Sequence, residues 1–235
     1  MQDLHFVLGV HEMRWWSMAE GGARERLYET ALQLMGRQGI TATSTREILA
    51  AAGIKNPSAI SYHFGSKAAL VNHLAAEVTG GQYPVLVKQT ALAAGAERPT
   101  PAEWIAPVLD ASIELVSTER GCLLARLWWE FDGYLRPQSL ERFVTGNSDV
   151  ATAWRAAVVK TFPHLPPRVG LARNITVLRT IGWQLSRMAA INLASTPFAM
   201  QSRVHFRLWL EEIAVTLLSA PTKLTDAGMA GPGQR

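Results

Sequence analysis

The chain has 235 residues, 48% of them hydrophobic and 18% charged, with a formal net charge of +4 and a single cysteine, Cys122. This composition supplies a packed core and excludes a disordered chain, and one cysteine excludes an internal disulfide framework. A basic balance of this size permits an anionic partner without demanding one.

No apolar run approaches the roughly 20 residues that a membrane-spanning helix needs. The oiliest stretch, WQLSRMAAINLA, is broken by Gln184, Ser186, Arg187 and Asn192. The first residues, MQDLHFVLGVHEMRWW, lack the pattern of a secretory signal, so the expectation is a cytoplasmic protein with no membrane partner.

Residues 1–20 carry no sustained period and include a second methionine, Met18; they predict a flexible amino-terminal arm, in which Arg14 is placed to follow a nucleic-acid backbone or minor groove. From Arg24 to Gln38, Leu27, Ala31 and Leu34 recur at helical spacing and Gly39 closes a first helix. Ser44 followed by Glu47 is a capping box that starts a second helix with Ile48, Ala51 and Ala52 on its inner side, ended by Gly53. Asn56 caps and Pro57 opens a third helix running to Phe64. Gly65 then breaks the chain, Ser66 caps a fourth helix, and Gly80 and Gly81 stop it.

Helical patterns continue over Tyr83–Ala94, Pro101–Val116, Cys122–Phe143, Val150–Thr161, Leu171–Leu193 and Phe198–Leu218, with breaks at Pro99–Pro101, Pro137 and Pro163–Pro167. The tail from Pro221 to Arg235, rich in Gly, Pro and Ala, predicts disorder. Strand alternation and internal repeats are lacking. The fold class is therefore all-α: a helix-turn-helix head at 21–79, a larger helical part at 80–220 and a tail at 221–235.

On a wheel of the third helix, Pro57, Ile60 and Phe64 fall inward, while Ser58, Ala59 and Tyr62 point out, flanked by Ser61 and His63. This small polar and aromatic face is the kind of surface that enters a major groove, where hydroxyls meet base edges. Lys67 stands in the first turn of a helix, where the dipole disfavours a cation by roughly 0.3–1 kcal/mol. An anion docked there would reverse the sign, and Thr45 and Arg46 offer the same arrangement at the start of the second helix.

TREILAAAGI followed by SAISYHFGSKAAL resembles the amino-terminal domain of the tetracycline-repressor (TetR/AcrR) family of bacterial transcription regulators, over about a quarter of the chain, Arg24 to Val78. The resemblance implies double-stranded DNA as partner, with phosphate contacts from Thr45, Arg46, Tyr62, His63 and Lys67 and base contacts from Pro57, Ser58, Ala59 and Ser61. Ser61 departs from the family pattern, where many members carry a tyrosine. The resemblance also implies a small-molecule effector and a homodimer.

In the larger part, Leu171, Ile175, Leu178, Gly182, Leu185 and Ala189 form one apolar stripe and Val177, Ile181, Met188 and Ile191 another. The last helix has Phe206, Leu210, Ile213 and Leu217 on one side and Val204, Leu208, Val215 and Leu218 on another. Two apolar faces per helix need two sets of neighbours, and we expect Leu171, Ile175, Leu178, Gly182, Leu185, Phe206, Leu210, Ile213 and Leu217 to meet a second copy in a four-helix bundle. Trp104, Trp128, Phe131 and Trp183 are the candidate ligand-binding aromatics, with Trp129 and Tyr134 beside them and Glu130 or Asp132 as polar closure.

No cofactor, metal or catalytic residue is expected. His11-Glu12 lacks the second histidine of a zinc helix, since Trp15 occupies that position, and Cys122 has no evident histidine partner; the nearest candidate, His164, lies across a proline-rich break. The expected function is a ligand-responsive dimeric repressor of a near-palindromic operator. The alternatives are a helical ligand-binding module with a vestigial head, and an all-helical enzyme.

Overall fold

The computed structural model of the chain describes residues 22–80, 83–95, 97–134, 149–194 and 199–224, and the regular secondary structure among them is entirely α-helical. The expected arm at 1–20 with Arg14 and Met18, the break at Pro137 and the tail from 225 onward lie outside the described residues, as do the side chains of Trp129, Asp132 and Tyr134. Ten helices are described: α1 Ala23–Gln38, α2 Thr45–Ala51, α3 Ala59–Phe64, α4 Lys67–Gly80, α5 Tyr83–Ala94, α6 Pro101–Leu115, α7 Glu119–Tyr134, α8 Asp149–Thr161, α9 Pro167–Leu193 and α10 Ala199–Ser219.

Local chemistry sets the ends. The Ser44 hydroxyl accepts the Glu47 amide at 3.1 Å while the Glu47 carboxylate accepts the Ser44 amide at 2.7 Å, closing the capping box of α2. Thr100 and Glu103 do the same for α6, with Pro101 in its first turn. Helix α9 begins four residues before the expected Leu171, because Pro167 sits at its first position, where proline has no amide to lose.

The apolar side chains gather in two clusters, and α7 serves both. The first holds Leu27, Met35, Ile48, Ile60, Phe64, Leu70 and Leu74 from α1–α4, closed by Leu123, Leu124, Leu127 and Phe131 of α7. The second is built on Trp104, Trp154, Phe162, Val177, Ile181 and Leu210, and takes Cys122 and Ala125 from the other side of α7. Helix α1 approaches α7 closely at Gly36, where a Cβ would lie 2.7 Å from Leu123 Cδ2 and 3.1 Å from its Cα.

A hydrogen-bonded chain runs through the second cluster. Gln89 donates to the Trp104 carbonyl at 2.8 Å and accepts from Trp154 Nε1 at 2.9 Å, while Trp104 Nε1 donates to Asn174 Oδ1 at 2.8 Å. Four helices, α5, α6, α8 and α9, are thereby held in one register, with these buried polar groups partnered.

Candidate nucleic-acid interface and cavity

The turn between α2 and α3 follows from Gly53. Its φ of +66° is a left-handed conformation, and the chain reverses there with Gly53 N–H donating to Ala50 O and Ile54 N–H to Leu49 O, a Schellman ending. Asn56 Oδ1 then accepts the Ser58 amide at 3.0 Å and holds residues 56–58 in a turn, so α3 begins at Ala59 and not at Pro57. This shift corrects the wheel: Pro57 is exposed, while Ala59 is only 5% exposed and packs inward with Ile60 and Phe64. A helical projection cannot be extended into a turn, which is why the two residues exchange sides.

The outward face of α3 carries Ser58, Ser61 and Tyr62, with His63 half-buried beside them. Tyr62 is 83% exposed, and its ring meets only the edge of His63 among the described aromatic contacts, 4.9 Å between centroids. Phe64, by contrast, is buried under Arg24, whose guanidinium lies 5.0 Å from the ring centroid. Thr45 and Arg46 are exposed in the first turn of α2.

Lys67 has a structural partner that sequence reasoning missed. Its ammonium donates to the Ile40 carbonyl at 2.7 Å, and the Ile40 amide donates to Glu130 Oε2 of α7, also at 2.7 Å. Glu130 therefore braces the turn after α1 and is not among the residues that line the cavity described below. The Lys67 charge is also felt at Glu47, whose carboxyl is held below its ordinary value first by the Ser44 backbone hydrogen bond and then by the Ser44 side chain, with Lys67 a smaller contribution. An ammonium has three donors, so Lys67 keeps capacity beyond Ile40.

A cavity of about 270 Å³ opens among α4, α5, α6, α7 and α9. Val85, Leu86, Val108, Leu115, Leu178 and Leu185 make it apolar; Ser112 and the Trp128 indole add polar atoms, and Glu77 is the only ionisable lining residue among those described. Of the candidate ligand aromatics, Trp128 lines this space. Trp104 is fully buried with its indole N–H spent on Asn174, Phe131 belongs to the head cluster, and Trp183 is exposed with Arg187 over its ring at 5.2 Å. Aromatic content alone does not separate core from pocket.

Beside the cavity stands a charge cluster with no local sequence signal. Arg120 of α7 reaches both oxygens of Glu29 on α1 at 2.6 Å and both oxygens of Glu77 on α4 at 2.9 Å, and Tyr28 donates its hydroxyl to Glu77. Burial pulls the Arg120 guanidinium down, but the two carboxylates together outweigh it and its pKa is raised. Burial first, and the Glu77 hydrogen bond second, push the Tyr28 hydroxyl well above its usual range. Its bonded pairs are 43, 49 and 91 residues apart in the chain, so no local pattern marks it.

The stripe expected to meet a second copy is largely occupied by the chain itself. Gly182, Leu185 and Leu210 are buried, Gly182 under the Trp128 indole, and Leu171, Ile175, Leu178, Phe206 and Leu217 pack against the second cluster; Ile213 is half-buried. Among the described residues, the large apolar side chains left exposed on α9 and α10 are Trp183, Ile191, Val204, Leu208 and Trp209. With two apolar faces on each helix, the pattern alone left open which one turned inward.

Comparison with known proteins gives a family for the head. Residues 27–74 match the model of bacterial regulatory proteins, tetR family. A search of curated proteins finds no match. Among solved structures, Salmonella enterica GusR is similar, with 16% identity and a TM-score of 0.42 over 84% of this chain and 96% of that one.

Proposed function

We propose that this chain, a transcription regulator that belongs to the tetR family of bacterial regulatory proteins through its amino-terminal helix-turn-helix, is a homodimeric repressor released from its operator by a small molecule. The observation that carries the DNA reading is the face of α3. A tyrosine 83% exposed, on one face with the exposed Ser58 and Ser61, has no role in the packing of the head. Thr45, Arg46, Tyr62, His63 and Lys67 would position the head on phosphates, and Pro57, Ser58 and Ser61 would meet base edges. With so few hydrogen-bonding side chains on that face, DNA shape would carry much of the selectivity.

The dimer would form on the exposed side of α9 and α10, with Trp183, Ile191, Val204, Leu208 and Trp209 at its centre, two helices from each copy making a four-helix bundle. A molecule in the cavity would act through α4, which runs from Lys67 at the reading edge to Glu77 on the cavity wall. It changes DNA affinity only by the amount it prefers one placement of α4 over another.

Selection of bound sequences from random duplex DNA with the purified protein tests the reading. A near-palindromic site is expected, with Tyr62→Ala and Lys67→Ala weakening binding to all sequences and flattening its salt dependence. Recovery of no specific site, or wild-type DNA affinity in both variants, would remove DNA regulation as the function.

A further inference from the structure

We propose that the cavity takes a compact apolar molecule bearing one cationic group, an amine or amidine, whose charge is received by Glu77 in exchange for Arg120. This rests on the reading of the chain as a ligand-responsive regulator and names the chemical class of its effector.

The argument is one of charge balance. Two carboxylates, Glu29 and Glu77, share the guanidinium of Arg120, and Glu77 is the member of the trio that lines the cavity. A ligand cation at Glu77 converts this sharing into two one-to-one pairs, because Arg120 keeps Glu29, which it already holds through both oxygens at 2.6 Å. An anion would bring a further negative charge to a wall with no cationic side chain among its described residues. A neutral apolar molecule would cover the cluster without adding a counter-charge, which deepens the desolvation of Glu77.

The rest of the lining suits the apolar body of such a molecule. Leucine, isoleucine and valine side chains surround it, and the Trp128 indole adds a face that attracts a cation. A volume of about 270 Å³ is at the small end of ligand sites, so one ring and a short chain fit the requirement. The exchange has a mechanical result: it releases the tie between α7 and α4 made by Arg120 and Glu77 and preserves the tie between α7 and α1 made by Arg120 and Glu29.

Calorimetric titration of the full-length protein with 4-phenylbutylamine, 4-phenylbutanol and 4-phenylbutyrate, three probes of one shape, decides the matter at neutral pH. The amine should bind at least about tenfold more tightly than the alcohol, with the acid weakest, as expected for one added charge pairing near a protein surface. Glu77→Gln should reduce the advantage of the amine over the alcohol to less than about twofold. Equal or tighter binding of the alcohol or acid, absence of binding by all three, or an undiminished preference in folded Glu77→Gln overturns the proposal.

Should Glu77→Gln lose its helical circular dichroism, Leu178→Trp fills the cavity from the α9 wall without touching the charge cluster. Amine binding that survives Leu178→Trp overturns the proposal as well. Operator affinity measured with the amine bound separates the two claims: an unchanged affinity removes the ligand-responsive reading and leaves the ligand class standing.

Discussion

Replacing Arg120 by methionine keeps much of the side-chain volume and removes the cation that Glu29 and Glu77 share. The pairs measure 2.6 and 2.9 Å, and the side chains are 28% exposed for Arg120, 27% for Glu29 and 15% for Glu77. A solvent-exposed pair contributes about 0–1 kcal/mol, whereas removing one partner of a fully buried pair costs about 3–5 kcal/mol. This cluster lies between those limits and strands two carboxylates at once, so Arg120→Met should cost about 2–3 kcal/mol. In a chain of this size the loss corresponds to a fall in Tm of roughly 5–10 °C. Thermal unfolding followed by circular dichroism at one fixed protein concentration measures it, since dimerisation would make Tm depend on concentration. Adding Glu29→Gln to Arg120→Met removes one of the stranded charges and should recover about 1 kcal/mol or more. A single variant within about 0.5 kcal/mol of wild type, or a double variant no more stable than the single one, refutes the claim that the cluster holds α1, α4 and α7 together.

Gln89→Leu strands the Trp154 indole N–H in the second cluster and removes the side-chain donor from the Trp104 carbonyl, and should cost about 1–3 kcal/mol in urea unfolding; a loss below about 0.5 kcal/mol would show that the network is dispensable. Gly53→Ala meets nothing within 4 Å, so its cost of about 1–2 kcal/mol comes from φ alone; faster hydrogen exchange in α2 and α3 reports it, and Gly53→Asn should lose less. Burial pushes the Cys122 thiol up, so the native protein should react slowly with a disulfide reagent near pH 8 until denaturant is added, and the rate of a free thiol there would refute its burial. Because the folded value is raised, the thiol's contribution to stability is complete below the unfolded value of about 8.5 and is lost as pH rises towards the folded one.

The parts legible in the sequence were those set by neighbours in the chain. The Ser44 and Glu47 capping box, the glycine endings at 39, 53 and 65 and the apolar period of α1 each act within a few residues, and the helices follow them closely. The Thr100 and Glu103 box has the same spacing and was equally readable. What escaped were partners brought together by the fold. Lys67 was readable as a misplaced cation at a helix start, but its acceptor is Ile40, 27 residues earlier. Trp104 was readable as a large aromatic, but whether its indole meets a ligand or Asn174, 70 residues on, depends on how α6 and α9 pack. For α9 and α10 the difficulty was different: apolar residues on two faces fix that two neighbours exist and leave their identity to tertiary packing.

Two contacts that the sequence does not announce, those of Lys67 and Glu77, bear on the same helix. Lys67 and Glu77 are ten residues apart on α4, about 15 Å along the axis. The first is held to α7 through Ile40 and Glu130, with two hydrogen bonds of 2.7 Å in series. The second is held to α7 directly by Arg120. Between these two ties α4 and α7 also share one apolar cluster, through Leu70, Val71 and Leu74 on one side and Leu123, Leu127 and Phe131 on the other. The lower tie borders the cavity and has a spare carboxylate ready to keep Arg120 neutralised, whereas the upper one has no such substitute among the described residues. Under the proposed exchange the lower tie would be lost while the upper tie and the shared apolar cluster remain, so a displacement of α4 would be larger at Glu77 than at Lys67.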